Sequence, residues 1–97
     1  MISLENIITN LDGGILLATI DRPKSLNALN IQTIDELDKL ITEVYANQDI
    51  KALILTGAGD KSFVAGADIT EIANLNEDDA FKFAANGQRV FAKFENC

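Results

Sequence analysis

The stretch SFVAGADI, residues 62–69, is where residue types and spacing could do chemistry. Ala65, Gly66 and Ala67 carry almost no side chain and run into Asp68. Gly66 permits backbone angles that other residues avoid, and the two alanines leave their peptide groups uncovered. Asp68-Ile69-Thr70-Glu71 has the form of a capping box with aspartate at the cap, so a short helix is expected from 68 to near Asn74. The N–H groups of a helix start lack partners and lie along its dipole. Such a backbone surface offers donors to a polar or anionic ligand group. The same small residues also suit a tight strand-to-helix connection, and spacing alone leaves both readings open.

Other chemistry is scarce. The chain has no histidine, which removes the commonest neutral-pH acid–base group and the commonest metal ligand. No Ser/His or Cys/His pair is possible, and no metal site is expected. Carboxylates are plentiful, but most fall on helix faces read as solvated or in first turns, and no pair is spaced for acid–base work. GAGDKS (57–62) invites a phosphate-loop reading and fails it. A Walker loop ending at Lys61-Ser62 needs glycine where Leu55 and Asp60 stand. A dinucleotide fingerprint from Gly57 needs glycine at Ser62. Arg22, Lys24 and Lys61 are surface charges unless their two turns converge, in which case they form a local basic rim.

The elements that would position SFVAGADI follow from periodicity. Ile2, Leu4, Ile7 and Ile8 suggest a first strand, LDGG (11–14) a turn, and ILLATI (15–20) a second strand; together 2–20 read as a β-hairpin. The unbroken apolar run of 15–20 predicts a strand covered on both faces. Pro23 breaks it, and Asn27 and Asn30 can each cap a helix. Ile34, Leu37, Leu40, Ile41 and Val44 recur at steps of three and four, with Asp35, Glu36, Asp38 and Lys39 between them, which predicts an amphipathic helix over 31–46. KALILT (51–56) is a third strand, and strand–helix–strand of this length makes a parallel pair with a right-handed crossover. SFVAGADI then lies beyond the carboxyl end of that strand, where open α/β sheets bind ligands. Asn76 caps a last helix over 77–95, with Glu77, Asp78 and Asp79 in its first turn and Phe83, Ala84, Gly87, Val90, Phe91 and Phe94 as its stripe.

Length allows one small domain, and the strand–helix–strand pattern makes it α/β. The 97 residues are 47% hydrophobic and 24% charged, as in a folded globular chain. A net charge of -7 argues against nucleic acid or an anionic membrane as partner. MISLENIITN lacks the form of a signal peptide, no run approaches a membrane span, and the lone Cys97 fits a reducing cytoplasm. The last helix stops without a C-terminal glycine or a following proline, so the chain reads as the first part of something longer.

RPKSLNALN (22–30), KALILTGAGDKSF (51–63) and above all FVAGADI (63–69) resemble the enoyl-CoA hydratase, or crotonase, family, in order and spacing across nearly the whole chain. The resemblance implies a crotonase-like (ClpP/crotonase) spiral of ββα units, of which 1–97 is the N-terminal portion of a single domain, with trimers commonly paired as hexamers. It implies a lyase of fatty acid metabolism that reversibly hydrates a short-chain 2-enoyl thioester of coenzyme A, with no cofactor, since coenzyme A is part of the substrate. Ala67 would donate its backbone N–H to the thioester oxygen. Ala65, Gly66, Asp68 and Ile69 would line the substrate on one side, and Lys24, Leu26 and Ala28 on the other, with Lys24 near phosphate. The family's second N–H donor and its two catalytic glutamates come from later positions, so the 97 residues alone are expected to be inactive. Alternatives are a non-catalytic acyl-CoA binding or assembly module, or another reaction of the family such as isomerisation or thioester hydrolysis.

Overall fold

The computed structural model describes residues 4–25, 27–59 and 74–96. β1 (Ile7–Asp12) and β2 (Ile15–Ile20) form the expected hairpin, antiparallel with Ile7 opposite Ile20 and Asp12 opposite Ile15. The first strand begins at Ile7, later than the apolar residues from Ile2 suggested. The two-residue turn is Gly13-Gly14, with φ of 58° and 82°. Both angles lie where side chains are disfavoured and glycine is not, which is what a tight hairpin between right-twisted strands requires.

Asn30 caps α1 (Ile31–Ala46), its side-chain oxygen accepting from the Thr33 backbone N–H. The helix has the bounds its periodicity predicts. β3 (Ala52–Gly57) then pairs with β2 in parallel, Ile20 opposite Gly57, so the sheet order is β1-β2-β3. It starts one residue later than KALILT and ends on Gly57. Asn76 caps α2 (Glu77–Glu95), accepting from Asp79 N–H at 2.8 Å, and again the expected bounds hold. The short helix expected from Asp68 lies outside the described residues.

One apolar core joins the parts. Ile7, Leu16, Ala18 and Ile20 from the hairpin meet Ile34, Leu37 and Leu40 of α1 and Val90 of α2. Among the described residues the sheet is covered on that face only. Along β2, Leu16 and Ala18 are fully buried while Ile15 and Leu17 are 46% and 37% exposed. The described residues thus cover one face of β2, and the cover expected on its second face is not supplied by them. The run ILLATI is apolar at every position but Thr19, yet alternate side chains point to opposite faces and α1 packs on one.

Glu36 corrects a second expectation. Read as one of the solvated acids of α1, it is 5% exposed. Its carboxylate accepts from the Asn6 backbone N–H at 2.8 Å and from the Asn6 side-chain amide at 2.9 Å. Both oxygens are thus partnered, the condition under which a carboxylate is tolerated away from water. The contact holds the residues leading into β1 against the crossover helix.

α1 and α2 are joined at their surface by Asp38, which accepts from Lys93 Nζ at 2.7 Å and from the Arg89 guanidinium at 3.0 Å. The Lys93 bond, aided by the Arg89 bond and the charge of both, holds the Asp38 carboxyl below the usual carboxylate range despite its partial burial.

Candidate functional site at the strand ends

The candidate site is built at the carboxyl ends of β2 and β3, the side of a parallel pair where loops converge. After Ile20 the chain turns outward. Asp21 N–H donates back to the Asn6 carbonyl at 2.7 Å, and Pro23–Ser25 form a single 3-10 turn with Lys24 exposed on it. Proline at the start of that turn has no N–H to satisfy and a φ already suited to it. Ala28 and Leu29 are buried as the chain re-enters toward α1.

Asn27 organises this loop. It is 1% exposed and lies at φ 59°, in the left-handed region that asparagine tolerates better than most residues. Its backbone N–H donates to the Arg22 carbonyl at 2.8 Å. Its side-chain oxygen accepts from Arg22 N–H at 2.9 Å, and its side-chain nitrogen donates to the Ala58 carbonyl at 2.9 Å. Ala58 is the first residue past β3, and its N–H donates to the Ile20 carbonyl at 2.8 Å. The Arg22 guanidinium donates to the Ala28 carbonyl within the same loop. Two turns 31 residues apart in sequence are thereby tied together by one amide.

The loop of Arg22 and Lys24 thus meets Ala58 at the start of the 57–62 turn, with Arg22 occupied as a brace. Lys61 lies outside the described residues. So do Leu26, Ala65, Gly66, Ala67, Asp68 and Ile69; of the expected site residues only Lys24 and Ala28 are described. Asn27, which the sequence offered as a second possible cap, does not cap α1; Asn30 does. Its buried, strand-bridging place was missed because its partner at Ala58 is remote in sequence. Among the described residues no group of histidine, cysteine, aspartate and glutamate could hold a metal ion. No helix among them is long and apolar enough to cross a membrane. An open groove along α2, lined by Ile34, Phe83, Gly87 and Phe91 among others, carries no acid–base cluster.

The model of the enoyl-CoA hydratase/isomerase family matches residues 15–95. The chain belongs to that family. A short-chain-enoyl-CoA hydratase of Clostridium acetobutylicum is 47% identical over 92 residues, 95% of this chain and 35% of that protein. A crotonyl-CoA hydratase of Syntrophomonas wolfei is 45% identical over 91 residues, 94% of this chain and 35% of that one. Among solved structures, an enoyl-CoA hydratase from Bacillus anthracis superposes with a TM-score of 0.88 at 27% identity, over 92% of this chain and 35% of its own. The chain therefore spans about a third of the length of these relatives.

Within the enoyl-CoA hydratase/isomerase fold, the hairpin, the crossover helix α1 and the parallel strand β3 are what place the loop at 21–30 beside the exit of β3. The crotonase-like α/β architecture expected from FVAGADI and RPKSLNALN is the one observed.

Proposed function

We propose that this chain is the N-terminal portion of the single catalytic domain of an enoyl-CoA hydratase that adds water reversibly to short-chain 2-enoyl-CoA, giving 3-hydroxyacyl-CoA. The observation that carries the reading is the family match over 15–95, which takes in both RPKSLNALN and FVAGADI, together with 47% identity to a short-chain-enoyl-CoA hydratase. The geometry supports it: the loop bearing Lys24 and Ala28 is tied to the exit of the strand that leads toward Ala67.

In this reading the backbone N–H of Ala67 donates to the thioester oxygen. As water adds to the β-carbon, negative charge gathers on that oxygen in an enolate, and a fixed donor there lowers the barrier. One such donor is worth about 10²–10³ in rate. Ala65, Gly66, Asp68 and Ile69 flank the thioester and coenzyme A from one segment, Lys24, Leu26 and Ala28 from the other. Lys24 supplies local positive charge for phosphate on a chain whose net charge is -7. Assembly as a trimer or a dimer of trimers, a cytoplasmic location and a substrate needing no separate cofactor belong to the same proposal and rest on the resemblance.

The test uses crotonyl-CoA. The whole protein is expected to hydrate it, and Ala67→Pro, which deletes the N–H, to lose about 10²–10³ in kcat while still binding coenzyme A. Retained kcat in that variant would remove Ala67 from the mechanism. A polypeptide of these 97 residues alone is expected to give no turnover above background, because the resemblance puts the second donor and both glutamates at positions beyond 97.

A further inference from the structure

Asn27 carries more than its own turn needs. Two bonds with Arg22, one through the backbone and one through the side-chain oxygen, already close the loop on itself. The third, from the side-chain nitrogen to the Ala58 carbonyl, adds nothing to that closure. It only fixes where the loop stands relative to the neighbouring strand end. It does so from a side chain that is 1% exposed, at a left-handed φ of 59°. A buried amide with both ends bonded is strongly directional, since leaving either end unmet is unfavourable.

We infer that Asn27 is a positioning residue, whose side-chain amide clamps the loop carrying Lys24 and Ala28 to the exit of β3 at Ala58 and so sets the spacing between the two substrate-facing segments. The clamp itself stands on the geometry; its effect on catalysis rests on the function proposed above. Ala58 begins the stretch that continues to Ala67, nine residues on. A donor's worth depends on where it stands, and a displacement of an ångström between reacting groups can cost about 10² in rate. Asn27 touches no reacting atom in this scheme and acts through the two segments that it joins.

Two variants separate the bonds. Asn27→Gly keeps the left-handed backbone without strain and deletes the side-chain bonds to Arg22 and Ala58. Asn27→Asp keeps an acceptor for Arg22 N–H, but an ionised carboxylate cannot donate to the Ala58 carbonyl. Amide exchange at Arg22 and Ala58 is followed relative to Leu40 in the core, with kcat and KM for crotonyl-CoA measured on the whole protein well below its Tm. In Asn27→Gly, exchange at both amides is expected to rise at least about tenfold more than at Leu40, and kcat to fall by about tenfold or more. In Asn27→Asp, Arg22 is expected to stay protected while Ala58 loosens and kcat falls as in the glycine variant. A uniform rise in exchange across the core, or unchanged kcat in either variant, would overturn the positioning role. If the unaltered protein does not hydrate crotonyl-CoA, the proposed function fails, whereas the exchange pattern still decides for or against the clamp.

Discussion

Two asparagines three residues apart have the same chemistry and different work. Asn30 has an extended backbone and its oxygen takes the Thr33 N–H, one of the open donors in the first turn of α1. It also accepts from the Thr33 hydroxyl. This was legible in the sequence, because a cap is satisfied by residues three places away. Asn27 was not, because its partner is Ala58 and only the paired strands bring the two together. The expected substrate-lining residues share that limit: residue types suggested that the backbone at 65–67 matters, whereas what faces it depends on contacts between remote loops. For Asn30 the consequence is measurable. Asn30→Ala should destabilise the fold by about 1 kcal/mol, within a range of about 0.5–2, and Asn30→Asp should restore most of the loss. Urea unfolding followed by circular dichroism measures both; an alanine variant as stable as the original would mean that the cap contributes nothing.

The helices were the most legible elements, since their periods and caps are local, and both have the bounds that the sequence predicts. What the sequence did not give is how they meet. Gly87 lies buried where α2 passes α1, and a β-carbon there would come no nearer than 3.6 Å, to Ile34 Cδ1. That is an ordinary contact, so the packing of α2 on α1 does not require glycine there. Gly87→Ala should therefore gain helix propensity without a clash and stabilise by up to about 1 kcal/mol. Thermal unfolding would register this as a rise of roughly 4–8 °C for a domain of this size, and a fall would point to overpacking. The same helix pair carries a pH dependence through Asp38. Its carboxyl titrates lower in the folded chain than in the unfolded one, so its pairing with Lys93 and Arg89 stabilises above the unfolded value of about 3.9. That contribution is lost as pH falls through the folded value. All three groups are partly solvated, which limits the effect to about 0.2–1 kcal/mol. Asp38→Asn should be less stable than the original at pH 7, with the difference shrinking toward zero in acid and also in high salt. A difference that persisted unchanged at pH 2 would mean that packing, not charge, is what the substitution removes.

At the scale of the molecule, the described residues form a sheet with a single covered face. ILLATI carries a single polar residue, Thr19, on its outer side, and one threonine among five apolar residues does not distinguish a strand buried twice from one buried once. The structure distinguishes them through the helices: α1 and α2 both contribute to the core cluster on one face, while Ile8, Ile15, Leu17 and Ile54 remain substantially exposed on the other. Register confirms the division, since Leu17 lies opposite Asn10 and Ile54, and Leu16 opposite Leu11 and Leu53. Adjacent leucines of one strand therefore occupy different environments in the 97-residue polypeptide. Leu16 is fully buried where sheet and helices join, and its truncation removes contacts that nothing nearby can replace. Leu16→Ala should cost about 2–5 kcal/mol, a large share of the roughly 5–15 kcal/mol that holds a native fold. Leu17→Ala deletes the same atoms from a side chain that remains 37% exposed, and should cost well under half as much. Equilibrium unfolding of the two variants, with equal denaturant slopes as the check on a common unfolded state, reads the contrast directly. Similar losses at both positions would show that the second face is also covered in solution, and the sheet would then have to be regarded as two-sided.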